Sequence, residues 1–216
     1  ESLDVETVLR RLQDAGLAGL PGGGAEILDD DDRRRVAHKK QKTAGWLGVM
    51  DVAQKLRLAT SASMVIGFGE TYEQRLNHLL ALREQQDRAR ERYGAGFTAF
   101  ITWTMVLDNP ALGKVLRRKD VHRAGAHPYL RHFAVARILL DNFEHVQASW
   151  PTMGPETAQK SLHCGADDFG STMIEENVVS AAGKTHGSLT EAQIQGFIRE
   201  EGFVPAQRDT RYRLLK

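Results

Sequence analysis

A chain of 216 residues with 41% hydrophobic and 26% charged residues carries enough apolar material for a packed core of one or two domains. Its 29 basic and 28 acidic residues leave it almost neutral, so charge gives no reason to expect a nucleic acid or an anionic membrane as partner. A single cysteine excludes an internal disulfide and any site built from several thiolates of one chain. The longest apolar runs, such as Ala62 to Phe68, fall far short of the roughly 20 residues that cross a bilayer, so a cytoplasmic location is expected. The opening at Glu1, directly in an amphipathic segment, reads as a fragment or a processed product.

Val5, Val8, Leu9 and Leu12 recur at helical spacing behind the potential cap Asp4 and stop at Gly16, which predicts a first helix. The apolar stretch Leu17 to Leu20 follows as a short strand, broken by Pro21, Gly22, Gly23 and Gly24. The acidic run Asp29 to Asp32 and the basic run Arg33 to Arg35 read as a solvated surface loop. Helical spacing returns at Trp46, Val49, Met50, Ala53 and Leu56 after Thr43, then yields to a strand from Ala59 to Ile66. Thr71 and Gln74 fit a capping box for a helix whose face is Leu76, Leu79, Leu80 and Arg83, and Gly94 ends it before a strand from Phe97 to Trp103.

A basic insertion from Asp108 to Pro128 reads as a loop before a helix carrying Leu130, Phe133, Ala134, Arg137 and Ile138. A strand from Gln147 to Trp150 precedes a helix starting at Pro155, and Phe169 to Met173 is a last short strand. Helices near Glu175 to Ala182 and from Thr190 to Glu201 form a C-terminal extension, with a coil tail from Gly202. Four or five strands, each joined to the next through a helix, predict an α/β fold of parallel strands, either part of a barrel or a doubly wound sheet. Both architectures put chemistry on the loops after the C-terminal strand ends, here Gly22 to Glu26, Gly67 to Glu70, Thr102 to Asn109, Trp150 to Gly154 and Asp167 to Met173.

The glycine run lets a backbone approach a ligand closely, and Glu26 beyond it can accept hydrogen bonds from an amine or ribose hydroxyls; a plain tight turn is an equal reading, and phosphate binding a third that the nearby carboxylates disfavour. In Ser63 to Glu70 an apolar strand lies under two glycines, where a flat heterocycle can rest. Glu70 itself reads first as an acidic group at the start of the next helix. Trp103 offers a stacking surface, although aromatic residues at strand ends more often belong to the core. His163 and Cys164 are adjacent and lack metal-ligand spacing, so Cys164 is expected to be buried and no metal ligands are assigned. No Gly-x-Ser-x-Gly elbow, Walker loop or His-Glu-x-x-His helix is present to carry hydrolase, triphosphatase or metalloprotease chemistry.

Several segments together resemble the radical S-adenosylmethionine (SAM) family of menaquinone biosynthesis that includes cyclic dehypoxanthinyl futalosine synthase, aminofutalosine synthase and the FO synthase subunits. They are Leu20-Pro-Gly-Gly-Gly-Ala-Glu-Ile-Leu28, Met64-Val-Ile-Gly-Phe-Gly-Glu70, Gly96-Phe-Thr-Ala-Phe100 with Trp103-Thr104, and Gln147-Ala-Ser-Trp150. Gly165 to Val179 and the tail Phe203-Val-Pro-Ala-Gln-Arg208 extend the likeness over nearly the whole chain, residues 1–216. The resemblance is greatest to the cyclase branch, through Trp103-Thr104 and Phe169-Gly-Ser-Thr172. It implies the C-terminal part of a (β/α) TIM-type radical SAM barrel, with the helical extension beginning at about 175. The implied reaction is transferase-type cyclisation of dehypoxanthine futalosine, in which a deoxyadenosyl radical takes a ribose hydrogen and the sugar radical closes onto the aromatic ring.

By that resemblance Ser63, Val65 and Gly67 match the adenine-side motif of SAM, with Ser63 in place of a glycine, and Glu26 matches the acidic position near its ribose or amino group. Trp103, Ser149, Asp168, Thr172 and Arg208 are chemically suited to a substrate carrying a carboxylate, a ribose and an aromatic ring. No residue is assigned as catalytic acid or base, and no electron donor is marked. Two departures stand out. Thr102-Trp103-Thr104-Met105 replaces the relatives' Pro-Trp-Thr-Phe, and the Cys-x-x-x-Cys-x-x-Cys loop for the [4Fe-4S] cluster is absent. The chain alone is therefore expected to be inactive and to self-associate through an exposed strand edge. FO synthase, aminofutalosine synthase, and a non-catalytic ligand-binding or structural fragment are the alternatives.

Overall fold

The computed structural model of the protein describes residues 3–108, 114, 124–173, 181 and 186–215, apart from the side chains of 36 and 37. The first helix, α1 (Val5–Asp14), begins where the Asp4 carboxylate accepts the Thr7 amide. Leu9 is its buried residue, while Val5, Val8 and Leu12 are exposed, so most of the expected apolar face is uncovered. The strand β1 is only Gly19–Leu20.

The charged run expected to be a loop is a helix, α2 (Asp30–Ala37). Asp29 caps it by accepting the amides of Asp31 and Asp32, and acidic residues fill the first turn while Arg34 and Arg35 occupy the last. That order suits the helix dipole, which is why the run folds rather than solvating. Two of its charges, on Asp32 and Arg33, are buried.

Next come α3 (Thr43–Lys55), β2 (Ala59–Ile66) and α4 (Tyr72–Tyr93). The capping box of Thr71 and Gln74 is formed, and Gly94 ends α4 in the left-handed conformation at φ 61°. On α4 the buried apolar residues are Leu79, Leu82 and Ala89, whereas Leu76 and Leu80 face outward, a rotation of the expected face. The strand β3 (Phe97–Thr104) leads to α5 (Ala126–Leu139), so Pro128 lies in the first turn of a helix, where proline is tolerated, and not in the preceding loop. On α5 the buried residues are Tyr129, His132, Phe133 and Ala136, while Ile138 is exposed. The rest of the basic insertion, residues 109–113 and 115–123, lies outside the described residues.

The strand expected from Gln147 to Trp150 is displaced: β4 is His145–Gln147, and Trp150 opens the short helix α6 (Trp150–Met153) with Pro151 in its first turn. Gly154 separates it from α7 (Pro155–Ser161), which runs into a 3-10 turn, Leu162–Cys164. Cys164 is half-buried rather than buried, and desolvation raises its thiol pKa. Phe169 to Met173 is not a strand, because Gly170 and Met173 have φ of 97° and 59°; only Asp168 bridges to Gln147. The helix expected near Glu175 to Ala182 falls outside the described residues, apart from residue 181. A capping box of Thr190 and Gln193 starts α8 (Glu191–Glu200), and the tail expected as coil folds back through an Arg208 to Leu214 bridge.

The four strands form one parallel sheet in sequential order, β1-β2-β3-β4, as a helix between each pair of strands requires. Ala62, Met64, Ile66, Phe100 and Val146 are fully buried on the face that carries the core with Trp46, Leu79, Leu82 and Phe133. The alternate residues Val65, Ile101, Trp103 and Gln147 are only partly covered. Parallel sheets ordinarily hide both faces, which makes this half-open face the place to search for a site. Among the described residues, no helix is long and apolar enough to cross a membrane.

Candidate functional site

The rim of the half-open face begins at the glycine run. A Cβ on Gly22 would stand 2.7 Å from the Ser61 carbonyl oxygen and 2.8 Å from the Ser63 nitrogen, so β2 itself demands glycine there. Ser61 Oγ accepts the Gly22 amide at 3.0 Å, and Ser63 Oγ donates to the Gly22 carbonyl at 2.7 Å. The Ser63 hydroxyl thus fastens the loop to the strand. Past Gly24 (φ 88°), Glu26 has a positive φ of 35°, a conformation unfavourable for a residue with a side chain. Its carbonyl accepts the Val65 amide at 2.7 Å, which brings Glu26 against the Ser63 to Gly67 segment.

What holds Glu26 in this conformation is Arg33, a residue of the charged run expected to be solvated. Its buried guanidinium donates to the carbonyls of Gly24 (3.0 Å), Ala25 (2.5 Å), Ile27 (3.0 Å) and Gln41 (2.7 Å). Burial lowers the Arg33 pKa, opposed by the charges of Glu26 and Asp30. The Asp29 cap and the acidic-to-basic order of α2 were the available signals for a helix, although neither reveals what Arg33 touches. The Glu26 carboxylate pairs with Lys40, while its Oε2 is buried without a hydrogen-bond partner. Beside the loop is a cavity of about 510 Å³ lined by Pro21, Gly23, Arg33, Lys40, Trp46 and Met50 among others.

The second rim loop turns on Gly67 (φ 106°) and Gly69 (φ 84°). The buried Glu70 carboxylate accepts the amides of Gly67 (3.0 and 3.2 Å) and Phe68 (2.6 Å), and binds Arg75 through Nε at 2.8 Å and Nη2 at 2.6 Å. Its oxygens are occupied by the protein, in keeping with the structural role expected for it.

Across the half-open face, Val65 lies beside Trp103, and Ser63 beside Ile101, Gln147 and then Asp168. Trp103 is therefore on this face and partly exposed, not in the core. Asp168 accepts from Arg208 Nε at 3.1 Å, from Arg208 Nη2, from Tyr212 Oη at 2.7 Å and from the Gly170 amide at 2.9 Å. The folded tail thus brings two expected substrate residues, Asp168 and Arg208, onto each other. Tyr212, unnoticed in the sequence, joins them: its ring stacks on His145 at 3.8 Å with Arg208 4.1 Å above it. Burial first, and the Asp168 charge second, push its phenol pKa upward.

Ser149 is buried, its Oγ 2.9 Å from Thr152 Oγ1, and its amide donates to Tyr129 Oη at 3.2 Å. Thr172 is exposed and is not drawn into this cluster. Because the strands are parallel and sequential, Glu26, Gly67 and Ser149 follow β1, β2 and β4 at the C-terminal end of the strands, with Asp168 one row deeper.

Residues 94–216 match the family model described as the CofH/MqnC C-terminal region. The chain is similar to a cyclic dehypoxanthine futalosine synthase of Halalkalibacterium halodurans, 45% identical over 215 residues that make up 100% of the chain and 55% of the relative. It is also similar to a cyclic dehypoxanthine futalosine synthase of Streptomyces coelicolor, 43% identical over 213 residues, 99% of the chain and 50% of the relative. An aminodeoxyfutalosine synthase of Thermus thermophilus is 40% identical over 215 residues, 99% of the chain and 56% of the relative. The chain spans about half the length of these curated relatives. The family match takes in β3, β4, the Asp168 cluster and the folded tail, more than half of the sequence, and the chain belongs to the CofH/MqnC C-terminal region family.

Proposed function

We propose that this chain forms the SAM rim and substrate face of a radical SAM cyclase that converts dehypoxanthine futalosine to its cyclic form in menaquinone biosynthesis. The observation that carries the reading is the half-open parallel face with Ser63, Val65, Trp103 and Asp168 along it and Glu26 and Gly67 on its rim. In this reading the four strands are an arc of a TIM-type barrel and that face is its interior. Full-chain similarity to two proteins named cyclic dehypoxanthine futalosine synthase supports it.

The residues present fit SAM. Glu26 Oε2 is a buried acceptor without a partner, suited to an amino or ribose hydroxyl donor, and Val65 with the backbone at Gly67 offers an apolar rest for adenine. Bound SAM supplies the hydrogen-abstracting group. The chain's own task is to fix the cofactor's ribose side through the Arg33-held Glu26 loop and to keep water from the face. Trp103 stacks on the substrate's ring, and the Arg208 guanidinium, shared with Asp168, receives its carboxylate, with Ser149 and Thr172 at the edge.

The iron–sulfur cluster does not fit this chain. Cluster ligation needs several thiolates, and the sequence has one cysteine. Among the described residues no group of three His, Cys, Asp or Glu side chains is placed to hold a metal ion. No step is assigned to the chain through the cluster.

The test is to join the chain to the portion of the Streptomyces coelicolor relative that it does not cover, reconstitute the cluster anaerobically, and supply SAM with dehypoxanthine futalosine. Formation of the cyclic product is expected. Turnover of SAM with no cyclic product would remove the cyclase assignment, and product formation from an aminodeoxyfutalosine synthase substrate would replace it.

A further inference from the structure

We propose that Tyr212 is a positioning residue of the substrate face: its ring and hydroxyl fix the Arg208 guanidinium beside Asp168. The role rests on the reading of Arg208 as the group that receives the substrate's carboxylate. The Tyr212 ring lies parallel to the His145 ring, with 7° between their planes and 3.8 Å between their centres, and the Arg208 guanidinium carbon is 4.1 Å from the centre of the tyrosine ring. The Tyr212 hydroxyl donates to Asp168 Oδ2 at 2.7 Å, the same oxygen that accepts Arg208 Nε at 3.1 Å and Arg208 Nη2. His145 and Gln147 are alternate residues of β4, and Asp168 bridges to Gln147, so the stack lies on the half-open face.

Asp168 alone does not fix the guanidinium. Its Oδ1 takes the Gly170 amide at 2.9 Å, and both Arg208 nitrogens converge on Oδ2. A guanidinium held by one carboxylate oxygen can pivot about it, whereas the two-oxygen fork cannot. The tyrosine ring covers a face of the guanidinium and blocks that pivot, a contact that also attracts the cation. His145 backs the ring and is itself anchored: its Nδ1 is 2.5 Å from Asp167 Oδ2, while Asp167 Oδ1 accepts the Val146 amide at 2.7 Å.

The tail is shaped to deliver the ring. Tyr212 has φ 60°, a left-handed conformation that a bulky residue adopts only where its surroundings enforce it. The turn at Asp209 enforces it. Asp209 Oδ1 accepts the amides of Arg211 at 2.8 Å and Arg213 at 3.0 Å, and Oδ2 accepts Arg213 Nε at 2.7 Å. The Asp209 amide donates to the Arg213 carbonyl at 2.9 Å, and its carbonyl accepts the Tyr212 amide at 3.0 Å and Arg208 Nη1 at 3.1 Å. One turn thus ties the guanidinium and the ring that orients it.

The test compares the parent with Tyr212→Phe and Tyr212→Leu in two measurements. In the 216-residue chain, solvent exchange of the Arg208 Nε–H, followed by arginine side-chain NMR, should quicken about tenfold in Tyr212→Leu and less than about threefold in Tyr212→Phe, which keeps the ring. In the joined enzyme, Tyr212→Leu should raise KM for dehypoxanthine futalosine about tenfold with kcat and SAM affinity unchanged, and Tyr212→Phe should stay within about threefold of the parent. Unaltered exchange in both variants overturns the proposal, because Asp168 then holds Arg208 unaided. A joint loss of kcat and SAM affinity with the rise in KM overturns it too, as the mark of a general structural role. Faster exchange with unaltered KM supports Tyr212 as the residue that positions Arg208 and removes the carboxylate role of Arg208 instead. The exchange measurement needs no turnover, so it stays decisive even where the cyclase reading fails.

Discussion

Arg33 binds the carbonyls on both sides of Glu26, taking those of Ala25 and Ile27 on one guanidinium nitrogen at 2.5 and 3.0 Å. A buried cation is thereby satisfied by backbone dipoles, and the left-handed turn at Glu26 is held from beneath. Lysine has one nitrogen and cannot reach four carbonyls in a planar fork. Arg33→Lys should lower stability by about 2–4 kcal/mol, read from urea unfolding midpoints at constant m-value. A loss below about 0.5 kcal/mol, the range of neutral surface changes, would show that the carbonyls find other partners.

Glu26→Gln separates charge from shape. The pairing with Lys40 is part-exposed and contributes little to stability, so unfolding should be almost unchanged. SAM affinity in the completed enzyme should fall about tenfold, the effect of losing one charge-assisted hydrogen bond of about 1.4 kcal/mol. Equal calorimetric affinities for the two proteins would leave Glu26 only its role as partner of Lys40.

Acid should unfold the chain early. Burial, the largest cause for both, lowers His78 and His132 from 6.5 to about 3, with further lowering of His78 by His132 and of His132 by Arg75. The folded state keeps both rings neutral while the unfolded state protonates them, so their contribution is complete above pH 6.5 and is lost as pH falls toward 3. With two protons taken up on unfolding, the slope approaches about 2.7 kcal/mol per pH unit inside that window. Unfolding measured from pH 7 to 4 in His78→Gln should have a shallower slope than the parent; identical slopes would assign the acid sensitivity to other groups.

Purified by itself under anaerobic conditions with iron and sulfide, the 216-residue chain should form no stoichiometric iron–sulfur absorption band and release no deoxyadenosine from SAM, because one cysteine cannot replace three. It should also self-associate. Among the described residues no strand pairs with the outer edge of β1, and Val5, Val8 and Leu12 are exposed nearby on α1. Light scattering of a strictly monomeric chain at high concentration would argue against the open edge.

The sequence by itself determined the alternation of helices and strands. Periodicity reports which residues share a face, and capping residues mark where helices begin, so β2, the capping box at Thr71 and Gln74, and the stop at Gly94 were legible. The glycine run and Glu26 were legible as a loop beyond a strand, because three adjacent glycines break regular structure wherever they occur. Only the tertiary structure decided the rest. Arg33 looks solvated in a charged run because burial depends on carbonyls brought to it by a turn six to nine residues earlier and a loop eight residues later. The pairing of Asp168 with Arg208 and Tyr212 spans 40 and 44 residues, and no local pattern encodes contacts at that separation. Phe169 to Met173 has the apolar residues of a strand, yet positive φ at Gly170 and Met173 turns the chain away after one bridge, a choice set by packing rather than by propensity.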